Sequence, residues 1–318
     1  MRFLFEQSNL TLVLSAVVVI LSLATLGYWL LKWLVGQVQN LPKVGNRIQF
    51  AWLMTVLFSL AVLYSHTILL LYIWFIAFLA LKEYLSITPT RRADRRVLFW
   101  AYLALPIQFG LIWFGWFAAF LSFVPLYTFL FLPTMMVMVG ETRGFLRANS
   151  TLNWGILITV FSLGHLAYLL NLPAIAGAPA GGAGFFLFLM VLTQLNDVAA
   201  YLFGKLVNRP KLRLKVSTSR NWASLIGTMG SSALLAWLMA PLLTPFSPEQ
   251  ALVVGVMLAM AGFVGYVTLS AIKVDLQLRD RGTMTAGHGG VLNRIDSLIF
   301  TAPLFFYWVY ALFYTGRL

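Results

Sequence analysis

Long uncharged apolar runs, separated by short polar stretches, dominate the chain. The first runs from Leu10 to Leu31 without a charged residue, which is the length an α-helix needs to cross a bilayer. Marking each such run predicts spans near 9–35, 49–64, 67–83, 97–115, 117–139, 153–173, 185–204, 222–243, 250–271 and 296–315. The fourth and fifth can be divided differently around Pro106 and Pro125. The expected fold is an all-α, polytopic transmembrane helix bundle of about ten spans, forming one membrane domain over 1–318. Within it, about 1–180 supplies N-terminal helices, and about 185–318 is the part less uniformly apolar. The first run is too long for the apolar part of a signal peptide and lacks a small-residue cleavage site followed by a soluble body, so it reads as a retained helix.

Composition agrees with the pattern. Of 318 residues, 61% are hydrophobic and 10% charged, against roughly 25% charged in soluble domains. Such a surface requires lipid as its main solvent. There is no cysteine, which excludes disulfides and thiolate metal sites. With three histidines, a His-rich metal site is not expected.

The net charge of +13 is distributed by topology. All but Arg2 and Arg317 of the 22 lysines and arginines fall in alternate connections. These come after the first span (Lys32, Lys43, Arg47), the third (Lys82 to Arg96), the fifth (Arg143, Arg147), the seventh (Lys205 to Arg220) and the ninth (Lys273 to Arg294). The intervening turns, at Ser65-His66, Trp116, Ala174–Gly184 and Thr244–Glu249, contain none. By the positive-inside bias the five basic connections are cytoplasmic and both termini lie outside, an arrangement expected in a bacterial inner membrane. The same residues meet anionic headgroups of membrane lipids. Cations divided among five loops do not form a nucleic-acid groove. The Ala/Gly/Pro stretch Ala174–Gly184 reads as a flexible outer loop.

Three polar groupings stand out. Asp197 lies inside the seventh span beside Asn196, with Tyr201 and Lys205 one and two helical turns beyond it. A carboxylate at that depth normally faces a cavity or a partner. The loop from Lys205 to Asn221 carries six cations, Lys215 among them, and the hydroxyls Ser217, Thr218 and Ser219. It fits either phosphate groups or unselective headgroup binding. Third, Ser270 to Ser297 contains Ser270 and Lys273 on one helix face, Asp280 in a mixed-charge loop, then Gly287-His288-Gly289-Gly290. Glycines there permit close backbone approach to a ligand. Asn293 and Asp296 come next at i, i+3, expected on the start of the last helix. Acidic and amide groups beside such a backbone suit a metal–phosphate site.

The string S-A-I-K (270–273), R-D-R-G (279–282), G-H-G-G (287–290) and N-R-I-D-S (293–297) resembles the phosphatidate cytidylyltransferase family, the CDP-diacylglycerol synthases. N-D-V-A-A-Y-L-F-G-K (196–205), K-V-S (215–217) and L-K-E-Y (81–84) are similar to further family features. The resemblance implies transfer of CMP from CTP to phosphatidate, giving CDP-diacylglycerol and pyrophosphate with Mg²⁺ as cofactor. It implies that Lys205, Lys215 and Arg294 hold phosphates, that Asp197, Asp280 and Asp296 orient metal or ribose, and that His288 sits at the nucleotide. Lys273 joins the catalytic set; Ser217, Ser270, Gly287, Gly289, Gly290 and Asn293 would bind the ligand. Asp296 and Asp197 are the expected metal ligands, and a homodimer is compatible with the resemblance.

This chain departs from the family pattern at Tyr266, Asn293 and Ala223, where acidic residues are expected. Val274 replaces a second basic residue, Thr218-Ser219-Arg220 replaces Pro-Gly-Lys, and Ala286 replaces proline. An alternative is therefore a catalytically impaired relative that binds lipid phosphate or nucleotide, or acts as a scaffold. A transporter would show two related halves with broken helices; the sequence shows no such internal symmetry.

Overall fold

A computed structural model describes residues 2–35, 66–173, 175, 181–206, 222–276 and 290–315, with 52, 55 and 59 as isolated helical positions. The described residues form helices and connecting turns. We number the long helices α1 (Arg2–Val35), α2 (His66–Ile87), α3 (Arg95–Trp113), α4 (Phe117–Met138), α5 (Phe145–Asn171), α6 (Gly181–Leu206), α7 (Trp222–Leu243), α8 (Pro248–Asp275) and α9 (Leu298–Phe313). Eight of these are long and apolar enough to cross a membrane; α9 is apolar but shorter. The expected all-α bundle is thus what the chain forms, and it is an integral membrane protein. The span expected at 49–64 lies outside the described residues apart from the isolated positions, of which Trp52 donates its indole N–H to Thr25 Oγ1 at 3.0 Å.

Local chemistry sets the helix ends. Ser247 caps α8: its hydroxyl accepts from Gln250 N while Gln250 Oε1 accepts from Ser247 N, with Pro248 in the first turn. At the end of α2, Thr88 bonds back to the Tyr84 carbonyl through both N–H and hydroxyl, and Pro89 comes directly after it. The division between α3 and α4 falls at Gly115, whose φ of 69° suits glycine. Pro106 stays inside α3, and Pro125 inside a wide π turn of α4, Phe123–Thr128.

Two expected boundaries are corrected. α5 begins at Phe145, not near 153, so Arg147 is helical. Hydropathy locates the part of a helix that meets lipid; the polar first turns of α5 continue the same hydrogen-bond ladder ahead of the apolar run. α6 begins at Gly181, so the end of the Ala/Gly stretch is helix and not loop. Gly182 lies where a Cβ would strike the Leu169 and Leu170 carbonyls, so its glycine serves close packing.

Large side chains fill the interior, including Phe120, Phe185, Phe186, Phe188, Phe305 and Phe306, all buried. Trp29, Phe99, Phe114 and Trp116 project outward, as a lipid-facing surface allows. Buried His165 sits among the rings of Phe120, Phe161 and Phe306.

Side-chain bonds tie helix ends together at each end of the bundle. At one end Arg91 holds Asp94 through Nε and Nη2, at 2.6 and 2.9 Å, and donates through Nη1 to the Glu141 and Arg143 carbonyls. This joins the connections after α2 and α4. The bond to Asp94 raises the Arg91 pKa above its ordinary value. At the other end, His66 meets Asn171 at 2.7 Å, Asn171 donates to the Ile112 carbonyl and Tyr314 donates to the Pro173 carbonyl at 2.7 Å.

Candidate functional site

The described candidate residues gather at the Arg91 end, around the described part of the connection between α8 and α9, Gly290–Ser297. From Gly290 this connector forms one 3₁₀ turn over Val291–Asn293 and reaches α9 at Leu298. Asn293 N donates to the Gly290 carbonyl and Arg294 N to the Val291 carbonyl, at 3.1 and 2.9 Å. Asn293 and Asp296 are therefore not on the last helix, where their spacing predicts them. The 3₁₀ turn closes at Asn293, and Asp296 spends a carboxylate oxygen on the Ser297 N–H at 2.8 Å. That bond serves a donor left over at the start of α9.

Three helices reach this connector. From α6, Asp197 Oδ2 accepts the Ser297 hydroxyl at 2.9 Å. Ser297 is fully buried, so one residue receives the carboxylate of α6 with its hydroxyl and that of Asp296 with its N–H. Beside it, Asn196 Oδ1 accepts from Ser232 of α7 at 3.0 Å, and Gly262 of α8 leaves room for the Asn196 amide. From α8, Lys273 Nζ donates to Asn293 Oδ1. Gly265 lies directly against the Asp296 carbonyl, where a side chain would not fit. From α2, Glu83 Oε2 accepts from the Leu292 N–H at 3.0 Å.

Asp197 and Asp296 converge on Ser297, while Asn293 is engaged by Lys273. Arg294 is half-buried in the same connector, and Ser270 stands three residues before Lys273 on α8. Lys205 belongs to the last turn of α6, two turns past Asp197. Tyr266 comes after Gly265 on α8, and Ala223 is in the first turn of α7. Lys215, Ser217, Asp280, Gly287, His288 and Gly289 lie outside the described residues.

Two contributors have no role that sequence alone assigns. Ser297 is visible in N-R-I-D-S, but its buried donor role depends on the α6–α9 contact. Glu83 is visible only within L-K-E-Y, and nothing local relates it to a partner 209 positions away. Gly290 has the Glu83 carboxylate against it, where a Cβ at 290 would overlap.

Chemically, the site offers hard carboxylate oxygens, an ammonium and a guanidinium at one end of the bundle. That combination suits an anionic, phosphate-bearing ligand with a divalent cation.

The family model described as "Cytidylyltransferase family" matches residues 45–313. The Escherichia coli K12 protein YnbB, described as uncharacterized, is 40% identical over 296 residues, covering 93% of this chain and 97% of that one. A phosphatidate cytidylyltransferase of Brucella suis is 28% identical over 137 residues, 43% of this chain and 51% of that enzyme. The Synechocystis enzyme of the same name is 33% identical over 114 residues, 36% of this chain and 39% of that enzyme. The chain therefore spans about half or less of the length of these two enzymes. With the family model extending over most of its length and through the whole described connector, the chain belongs to the cytidylyltransferase family.

Proposed function

We propose that this protein transfers CMP from CTP to phosphatidate or a similar lipid phosphate, at the cytoplasmic face of a bacterial inner membrane. One observation carries the reading: carboxylates from α6 and from the α8–α9 connector meet at Ser297, at the bundle end that also carries Lys273. In the reaction, a phosphate oxygen of the lipid attacks the α-phosphorus of CTP. The new P–O bond forms as the bond to the β-phosphate breaks, and pyrophosphate leaves. Such a transfer asks of the protein mainly positioning and charge stabilisation. Lys273 and Arg294, with Lys205 and Lys215, supply positive charge toward the phosphates. The orientation is that of the cationic connections, which face the compartment where CTP is found.

The donor set fits Mg²⁺ in one particular mode. Among the described residues no group of three or more His, Cys, Asp or Glu is arranged to hold a metal. Two carboxylates at Ser297 match the mode in which Mg²⁺ is held by one or two carboxylates and completed by water and substrate phosphates. Asp197 and Asp296 would hold it, and the ion would neutralise charge on the phosphates.

A second reading draws on Asn293. Its neutral oxygen faces the Lys273 ammonium, where the resemblance expects an aspartate. A chain lacking that carboxylate, and carrying Tyr266, would bind nucleotide or lipid phosphate without turning it over. Purified protein in phosphatidate vesicles decides between the two. Pyrophosphate release from CTP that requires both Mg²⁺ and phosphatidate supports the enzyme. CTP binding without a divalent ion and without turnover, with activity recovered in Tyr266→Asp plus Asn293→Asp, supports the binder. Neither binding nor release rejects both.

A further inference from the structure

We infer that Glu83 is a positioning residue of the site, a fixed brace from the N-terminal half that sets where the α8–α9 connector stands. Its role in turnover rests on the cytidylyltransferase reading above. The Leu292 N–H lies within a single 3₁₀ turn, where the first N–H groups have no partner in the turn itself. Leu292 is only 1% exposed, and a buried N–H requires an acceptor. Glu83 Oε2 is that acceptor, at 3.0 Å.

The fit is two-sided. Gly290 presses against the same carboxylate, and a Cβ there would overlap both its oxygens. Glu83 thus bonds one residue of the turn and is in contact with another, which fixes the turn's distance from α2. α2 itself is anchored close by: Tyr84 donates to the Thr151 carbonyl at 3.1 Å, and its ring packs on Gly155. The functional segment leads directly out of the turn: Asn293 on Lys273, Arg294, Asp296, and Ser297 on Asp197. A shift of the turn displaces these groups together. Losing a charge-assisted bond to a buried N–H is expected to weaken ligand engagement roughly ten- to hundredfold.

The test combines Glu83→Ala, Glu83→Gln, Gly290→Ala and the Glu83→Ala/Gly290→Ala pair in the full chain. It reads amide hydrogen exchange over 291–297, the KM values for CTP and for lipid phosphate, and thermal midpoint. Glutamine keeps an accepting oxygen; alanine does not. The expected pattern is a protected Leu292 amide in the native chain, exchange at least about tenfold faster in Glu83→Ala, and protection restored in Glu83→Gln. KM for CTP rises roughly tenfold or more in the alanine variant while that for lipid phosphate stays within about twofold. Gly290→Ala harms the native chain but does much less in the Glu83→Ala background, because the group it strikes is gone. Unchanged protection of Leu292 in Glu83→Ala, or strictly additive effects of the pair, overturns the inference; so does an equal rise in both KM values. Absence of turnover in the native chain instead removes the enzyme reading. The exchange pattern then still decides the brace: protection lost in alanine and regained in glutamine supports it, and no change rejects it.

Discussion

Replacing Ser297 by alanine removes one hydroxyl from the point where α6 meets α9. The hydroxyl donates to Asp197 Oδ2 at 2.9 Å from a fully buried position, so little else can take its place. The bond from the Ser297 N–H to Asp296 uses the backbone of residue 297 and survives the change. A hydrogen bond to a charged group contributes about 1.5–3 kcal/mol. If all of it acts on the alignment of the carboxylates, turnover falls about ten- to hundredfold. Asp197 is half-buried, and water reaching it would recover part of the loss in stability. The thermal midpoint should therefore fall by only about 1–3 °C. Pyrophosphate release in phosphatidate vesicles measures the first quantity and detergent-phase melting the second. Thr301→Ala is the control: Thr301 is equally buried, but its hydroxyl only duplicates the bond of its own N–H to the Ser297 carbonyl. It should stay within about twofold. Ser297→Ala with native turnover, or with a loss no larger than that of Thr301→Ala, would refute the convergence on Ser297 as the basis of the site.

Gly265→Ala should destabilise by about 1–3 kcal/mol, since the added methyl meets the Asp296 backbone carbonyl and backbone cannot swing aside; Gly110→Ala, which meets nothing within 4 Å, should be neutral or slightly stabilising in the same melting assay. Arg91→Ala leaves Asp94, 1% exposed, without its guanidinium and should lower the melting midpoint by at least about 2 °C, with Arg91→Lys recovering only part because a lysine cannot reproduce the two-pronged bond. Tyr314→Phe removes the bond to the Pro173 carbonyl at the end of the bundle far from Ser297, and should lower stability by about 1 kcal/mol while KM for CTP stays native.

Much of the fold could be read from residues alone because lipid imposes a simple rule on them. An apolar run such as His66–Ile87 or Trp222–Leu243 advertises itself, and Asp197 is conspicuous for interrupting one. The helix starts at Phe145 and Gly181 escape such a reading because hydropathy registers contact with lipid, whereas a helix ends where its hydrogen bonds do. Asn293 and Asp296 have the spacing of one helical face, yet the chain uses them in a turn; the Leu292 bond to Glu83 and the pull of Lys273 on Asn293 are tertiary facts without a local pattern. The partly legible site has the same origin. Charges that are costly in a membrane announce themselves, while Ser297 and Gly265 matter only through what stands opposite.

The reach of Glu83 across the chain also has a meaning for biogenesis. A ribosome delivers α2 to the bilayer long before it makes residue 292, so for most of translation that carboxylate has no amide to receive. The bundle end around Leu292 can assemble only when the final hairpin inserts and docks against helices already in place. Premature termination anywhere before α9 therefore leaves a membrane-embedded product in which Glu83 and Asp197 lack their partners from the last segment, a natural substrate for quality-control proteases.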